Sequence, residues 1–231
     1  MPGVLTLFFA KGVIVVEGDS ESIILPTLAE LIGRPLDDYG VSIVNVGSTA
    51  FGRFARIFRR KSLDATEERA NWLPTRVVCL CDLDLWPEKA KTGNGNPLGF
   101  LEWKDGNKQY WESYYATDPN ERDSWLDSKM KPQGQNVLVE LSDHWTFEYS
   151  MLRSGLAEET YEAFQGSSEG FNELPQDEEE RALTIFRLIA ATNGGKTRVA
   201  YALGSILIRK FRLARSALGE NETPEQILAR T

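Results

Sequence analysis

The chain has 231 residues, 42% hydrophobic and 26% charged, with a formal net charge of −8. That size suits one sizeable domain, or a core domain with a smaller appendage. No apolar stretch reaches membrane-spanning length, and Leu5–Ala10 is too short for a signal-peptide core and lacks a basic segment before it. The two cysteines, Cys79 and Cys81, lie two apart on a predicted strand, a poor disulfide geometry that matches no zinc pattern. They are expected to be reduced core residues of a cytoplasmic protein. The single histidine, His144, excludes histidine-rich metal sites.

In chain order, Val13–Val16 reads as the first strand. A turn through Gly18-Asp19-Ser20 leads into a helix from about Glu21 to Ile32, stopped by Gly33 and Pro35. Val41–Val46 is the second strand, and Gly47-Ser48-Thr49 then opens a basic amphipathic helix over Ala50–Arg60. Arg76–Cys81 is the third strand. Strands alternating with helices predict right-handed crossovers and a parallel sheet, hence an α/β fold. Residues 87–135 break the rhythm with a polar, turn-rich stretch carrying Trp103, Tyr110, Trp111, Tyr114, Tyr115 and Trp125. This reads as an insertion with short helices. Asn136–Leu141 is the fourth strand, followed by helices at about 148–164, 177–192 and 195–215, with an acidic loop over 165–176 expected to be mobile. Thr223-Pro-Glu-Gln226 has the signature of a helix start, with Thr as N-cap and Pro at the first helical position. Both ends look cut, as in a fragment of a longer protein.

Two of these strands run into acids. Val13-Ile-Val-Val is followed by Glu17-Gly-Asp-Ser-Glu21, and Val77-Val-Cys-Leu-Cys by Asp82-Leu-Asp84. Parallel strands deliver such residues to the carboxyl edge of the sheet, where open α/β folds place their sites. Four carboxylates in one small volume repel one another, so a hard divalent cation, magnesium above all, is their natural partner. Two ions about 4 Å apart can activate a water and stabilise a leaving oxyanion during phosphodiester cleavage. The bland reading of Glu17 and Glu21 is a solvated helix start, where the dipole favours acids. Asp82-Leu-Asp84, closing so apolar a strand, is harder to dismiss.

Charge is segregated along the chain. Residues 156–180 carry acids and no base, whereas 51–61 and 195–215 carry bases and no acid. The basic stretches place Arg53, Arg56 and Arg60 on one helix face and Arg209 and Arg212 on another. Such stripes suit tracking of a DNA backbone, despite the negative total; solvated helix faces are the alternative. Gly194-Gly-Lys-Thr197 has the tail of a phosphate-binding loop without its first glycine or its strand.

The combination resembles Toprim domains, whose signature is Glu17-Gly18 after strand one and Asp82-x-Asp84 after strand three. Phe9-Ala-Lys11, Val46-Gly-Ser, Thr146-Phe-Glu148 and Gly195-Lys196 make it similar to the Toprim part of OLD-family (overcoming lysogenization defect) nucleases in particular. The resemblance implies a Rossmann-like Toprim fold, with a central, mostly parallel sheet and a helical insertion or subdomain in the C-terminal half. The core would span 1–150, with its insertion at about 87–135. A helical subdomain would follow over 151–194, and helices over 195–231 would pack back on the core. It implies two Mg²⁺ ions, replaceable by Mn²⁺, held by Glu17, Glu21, Asp82, Asp84 and Glu148, with Thr146 adding an oxygen and Lys196 acting as the catalytic lysine. It also implies DNA as substrate and an ATPase domain ahead of this region. The residues alone leave Lys196 as a cation at a helix start, where the dipole disfavours it, and Glu148 as a first-turn acid capped by Thr146. Other Toprim chemistries, of the topoisomerase or primase type, and a degenerate module that binds DNA or a partner without cutting, are the competing functions.

Overall fold

The computed structural model describes residues 10–47, 51–59, 73–91, 111–115 and 119–218. Arg60, the middle of the expected insertion and the expected helix start at Thr223–Gln226 lie outside the described residues. The chain divides into two compact units: Met1–Leu80 with Lys131–Glu140 and Gly204–Thr231, and Cys81–Met130 with Leu141–Leu203.

The first unit is built on a sheet of four strands, β1 (Gly12–Val16), β2 (Val41–Asn45), β3 (Arg76–Cys81) and β4 (Val137–Leu141), in the order β2-β1-β3-β4. β1 runs parallel to both neighbours, with Val13 opposite Ser42 on one side and Val77 on the other. β4 runs with β3 as well: Val77 N–H donates to Asn136 O near one end and Ser142 N–H to Cys81 O near the other. The fold is α/β around this parallel sheet. Val13, Val15, Val16, Val77 and Cys79 are buried, as strands covered on both faces require. Each such valine contributes about 1.5–3 kcal/mol by leaving water. Burial pushes the Cys79 thiol up to about 12, and both cysteines are free, as a reduced core pair should be.

Helix α1 (Asp19–Leu31) follows β1 and packs on β1 and β2; it starts two residues earlier than the sequence predicts and carries Pro26 within it. Helix α2 (Phe51–Ile57) is shorter than the predicted 50–60 segment. Helix α8 (Gly195–Leu218) enters this unit from Gly204 onward. A Cβ at Gly204 would lie 3.2 Å from Thr27 Oγ1, so the two helix backbones meet closely there.

The second unit is helical: α3 (Glu112–Tyr115), α4 (Pro119–Met130), α5 (Phe147–Arg153), α6 (Ala157–Gln165), α7 (Glu178–Ala190) and the start of α8. The predicted helix at 148–164 is two helices, because the chain turns at Gly155, whose φ is +99°. Trp145, Tyr149 and Phe186 form its aromatic core, with the Trp145 and Phe186 rings 4.6 Å apart. A second cluster joins Leu83, Leu85 and Tyr115 to Trp125, Leu126 and Leu141. The acidic 165–176 loop is anchored: Phe171 packs on Tyr161, and Arg181 lies over the Phe171 ring while donating to Pro175 O. Asp177 caps α7 and pairs with Lys89 at 2.8 Å. No described helix is long and apolar enough to cross a membrane.

Candidate metal and phosphate site

In the first unit, Glu17 follows the last residue of β1 and is half-buried. Gly18 is the N-cap of α1, with extended backbone, and the Glu21 carboxylate lies close over it: a Cβ there would sit 2.8 Å from Glu21 Oε2 and push that side chain aside. Glu21 is buried, and Ser20 Oγ donates to its Oε2 at 3.0 Å. Asp19 is exposed and accepts a 2.7 Å bond from Asn45 Nδ2, which ties the turn after β1 to the end of β2. Gly47, with a φ of +67°, closes that turn and donates its N–H to Asn45 Oδ1. Arg53 and Arg56 lie exposed on α2, and Arg209 and Arg212 on α8.

In the second unit, the chain leaving β3 is fixed at each residue. Phe147 N–H donates to Asp82 Oδ1 at 2.8 Å, so this carboxylate sits at the N-terminus of α5, where free amide donors favour an anion. Leu83 N–H donates to Ser142 Oγ, and Asp84 N–H to Trp145 O. Asp84 adopts a left-handed backbone, φ 58°, uncommon outside glycine. Its direction is therefore set by the main chain. Its carboxylate is paired with the Lys129 ammonium of α4.

Thr146 caps α5 through Oγ1, which accepts the Tyr149 N–H at 3.2 Å. Glu148, in the first turn of that helix, is buried and pairs with Lys196 at 2.9 Å. That pairing explains a lysine in the first turn of α8: the acid offsets the unfavourable dipole, and the Phe186 ring lies under the ammonium at 5.5 Å. Gly195 is required for the same turn, since a Cβ there would fall 2.2 Å from Ile189 O.

Asp82, Asp84, Thr146 and Lys196 line one cavity of about 800 Å³, together with Trp86, Trp145, Phe186 and the 189–195 segment. Two carboxylates and an ammonium facing one space are suited to a cation and a phosphate together. The oxygen donors fit magnesium, which takes one or two carboxylates and keeps several waters. Among the described residues no three or more His, Cys, Asp or Glu side chains are gathered as a metal-holding group, so this is no all-protein cage. His144 packs its ring against Tyr149, 6.3 Å between centroids. The sequence reading missed Lys129; its only local signal is the i, i+4 spacing from Trp125, over whose ring the ammonium lies at 5.5 Å.

Residues 8–84 match the family model of the overcoming lysogenization defect protein-like TOPRIM domain, and the match ends at Asp84 itself. No curated protein matches the chain. Among solved structures, the chain is similar to the C-terminal region of the Xanthomonas campestris pv. campestris OLD protein, at 21% identity over 97% of both chains with a TM-score of 0.46. It is likewise similar to the C-terminal region of the Burkholderia pseudomallei OLD protein, at 22% identity over 86% of this chain and 89% of that one, with a TM-score of 0.49. Over residues 8–84, the stretch that holds β1, β2, β3 and the acids after β1 and β3, the chain is similar to the TOPRIM domain of OLD-like proteins.

Proposed function

We propose that this chain hydrolyses DNA phosphodiester bonds with magnesium, as the catalytic part of a longer cytoplasmic protein with an ATPase domain ahead of it. The observation that carries this reading is the joint lining of one cavity by Asp82, Asp84 and Lys196, directly after a buried parallel strand. Glu17, Glu21, Asp82, Asp84 and Glu148 would hold two ions, with Thr146 adding an oxygen. The strand order supports this: β1 and β3, the two strands that run into acids, are parallel neighbours. Magnesium, when bound, supplies Lewis acidity to the attacking water and to the leaving oxygen.

The chain's own residues do the rest. Asp82, oriented by the Phe147 N–H, presents a fixed carboxylate to the cavity. The Lys196 ammonium stabilises charge that grows on the scissile phosphate. Arg53, Arg56, Arg60, Arg209 and Arg212 would hold the DNA backbone through its phosphates.

A second reading, a module that binds DNA without cutting it, is favoured by one observation: Asp84 and Glu148 each already pair with a lysine. Incubating the purified chain with plasmid DNA separates the two. Cleavage is expected with Mg²⁺ or Mn²⁺, little with Ca²⁺, whose loose coordination positions a nucleophile poorly, and none in EDTA. Equal cutting in EDTA, or none with any metal, overturns the nuclease reading.

A further inference from the structure

Lys129 belongs to no expected ligand set and lies 45 residues from the acid it meets. Its place is nonetheless built into the second unit. One turn before it on α4, Trp125 packs against Tyr115, with ring centroids 6.0 Å apart, in the cluster of Leu83 and Leu85. Trp125 Nε1 also donates to Leu83 O at 3.2 Å, the carbonyl between the two aspartates. This pins α4 to the segment that follows β3 and brings the Lys129 ammonium onto Asp84, with the Trp125 ring 5.5 Å away. The Lys129 side chain is 21% exposed and that of Asp84 48% exposed, so solvent still reaches the carboxylate.

Asp84 does not need Lys129 to be placed. Its left-handed backbone and the bond from its N–H to Trp145 O already aim it. The lysine therefore acts on the charge of Asp84 and not on its position. An ammonium and a divalent cation repel each other, and both seek the same carboxylate oxygens.

We propose that Lys129 is the resident counter-cation of Asp84 and sets the divalent-ion threshold of this site, by leaving Asp84 when the metal takes it. The proposal rests on the metal-site reading given above. It makes Lys129 a positioning residue for the metal, acting through Asp84, and it makes Trp125 a built-in reporter of the lysine's departure.

Calorimetric titration with Mn²⁺ tests it. Lys129→Met, which keeps the aliphatic stem and loses the charge, should bind Mn²⁺ about tenfold more tightly than the parent chain. Lys129→Arg, which keeps a cation there, should stay near the parent affinity. Circular dichroism of all three chains shows whether the fold is kept. A second measurement needs no change at Lys129: Mg²⁺ added to the parent chain should alter tryptophan emission, because the ammonium leaves the indole face. Trp125→Phe should lose that signal, and Lys129→Met should lack it. Mg²⁺ is used here because manganese quenches emission by itself. Equal or weaker Mn²⁺ binding by Lys129→Met, or a Trp125 signal blind to Mg²⁺, overturns the role of Lys129 while leaving the metal site intact. Failure of every chain to take up Mn²⁺ overturns the metal reading itself, and this proposal with it.

Discussion

Asp82 and Lys196 face the same cavity with opposite charge, and their substitutions should therefore separate two functions. Asp82→Ala removes one of the two aspartates that line the cavity, the one held by the Phe147 N–H, so both metal uptake and cleavage are expected to be lost. It also strands the Phe147 N–H, at a stability cost of about 1–3 kcal/mol. Lys196→Met leaves the oxygen donors in place, since an ammonium cannot ligate a cation. Metal binding should persist while single-turnover cleavage slows by ~10²–10³-fold. Full activity in Lys196→Met would reduce that lysine to the ion-pair partner of Glu148. The aspartates were legible because an apolar strand running into acids is a local pattern. Lys196 was legible as a broken local rule, a cation at a helix start, and the Glu148 contact 48 residues away shows what offsets it. Lys129 was not legible. Nothing near it in sequence says that α4 lies against the segment that follows β3; that comes from the Trp125 bond to Leu83 O, which only the folded chain makes.

The elements divide along the same line between local and distant causes. β3 has the predicted bounds, because an unbroken run of Val, Cys and Leu between turn residues has one stable use in a parallel sheet. Pro26 is tolerated inside α1, where it removes one amide donor, since the helix is held by packing on β1 and β2 and not by propensity alone. The join of α5 to α6 was missed because Gly155 is a single glycine in an apolar-periodic stretch, and only its positive φ turns the chain. Thr146 is where element and site meet. Its hydroxyl caps α5, and the same helix carries Glu148 and gives the amide that holds Asp82. Thr146→Val keeps the shape and removes the cap, at about 1 kcal/mol. A chain of this length should then melt roughly 2–4 °C lower, and Thr146→Ser should restore the loss. If the hydroxyl serves the helix alone, calorimetry will find Mn²⁺ affinity unchanged in Thr146→Val. Weaker metal binding at an unchanged melting temperature would make Thr146 a ligand.

Across the whole molecule the issue is how a chain of net charge −8 approaches a polyanion. Its acids are partly spent on internal contacts in the second unit: Lys89 meets Asp177 at 2.8 Å and Glu179 at 3.5 Å, and Arg153 reaches Glu179 at 4.0 Å. Solvent reaches each of these pairs, so they add little stability, but they mix the acidic stretch with bases. In the first unit, Arg53 and Arg56 on α2, and Arg209 and Arg212 on α8, stand exposed on segments that carry no acid of their own. Net charge governs long-range attraction, whereas contacts to phosphate are made one arginine at a time and release counterions one at a time. Binding should therefore weaken with added salt in proportion to the number of phosphates met, whatever the sign of the total. Replacing Arg53 and Arg56 by Ala, or Arg209 and Arg212 by Ala, should lower the slope of log affinity against log salt by about two units for each pair. The measurement is made in Ca²⁺, so that little DNA is cut during the titration. If one pair flattens the slope and the other leaves it unchanged, the DNA runs over that one helix, and the other is a solvated face.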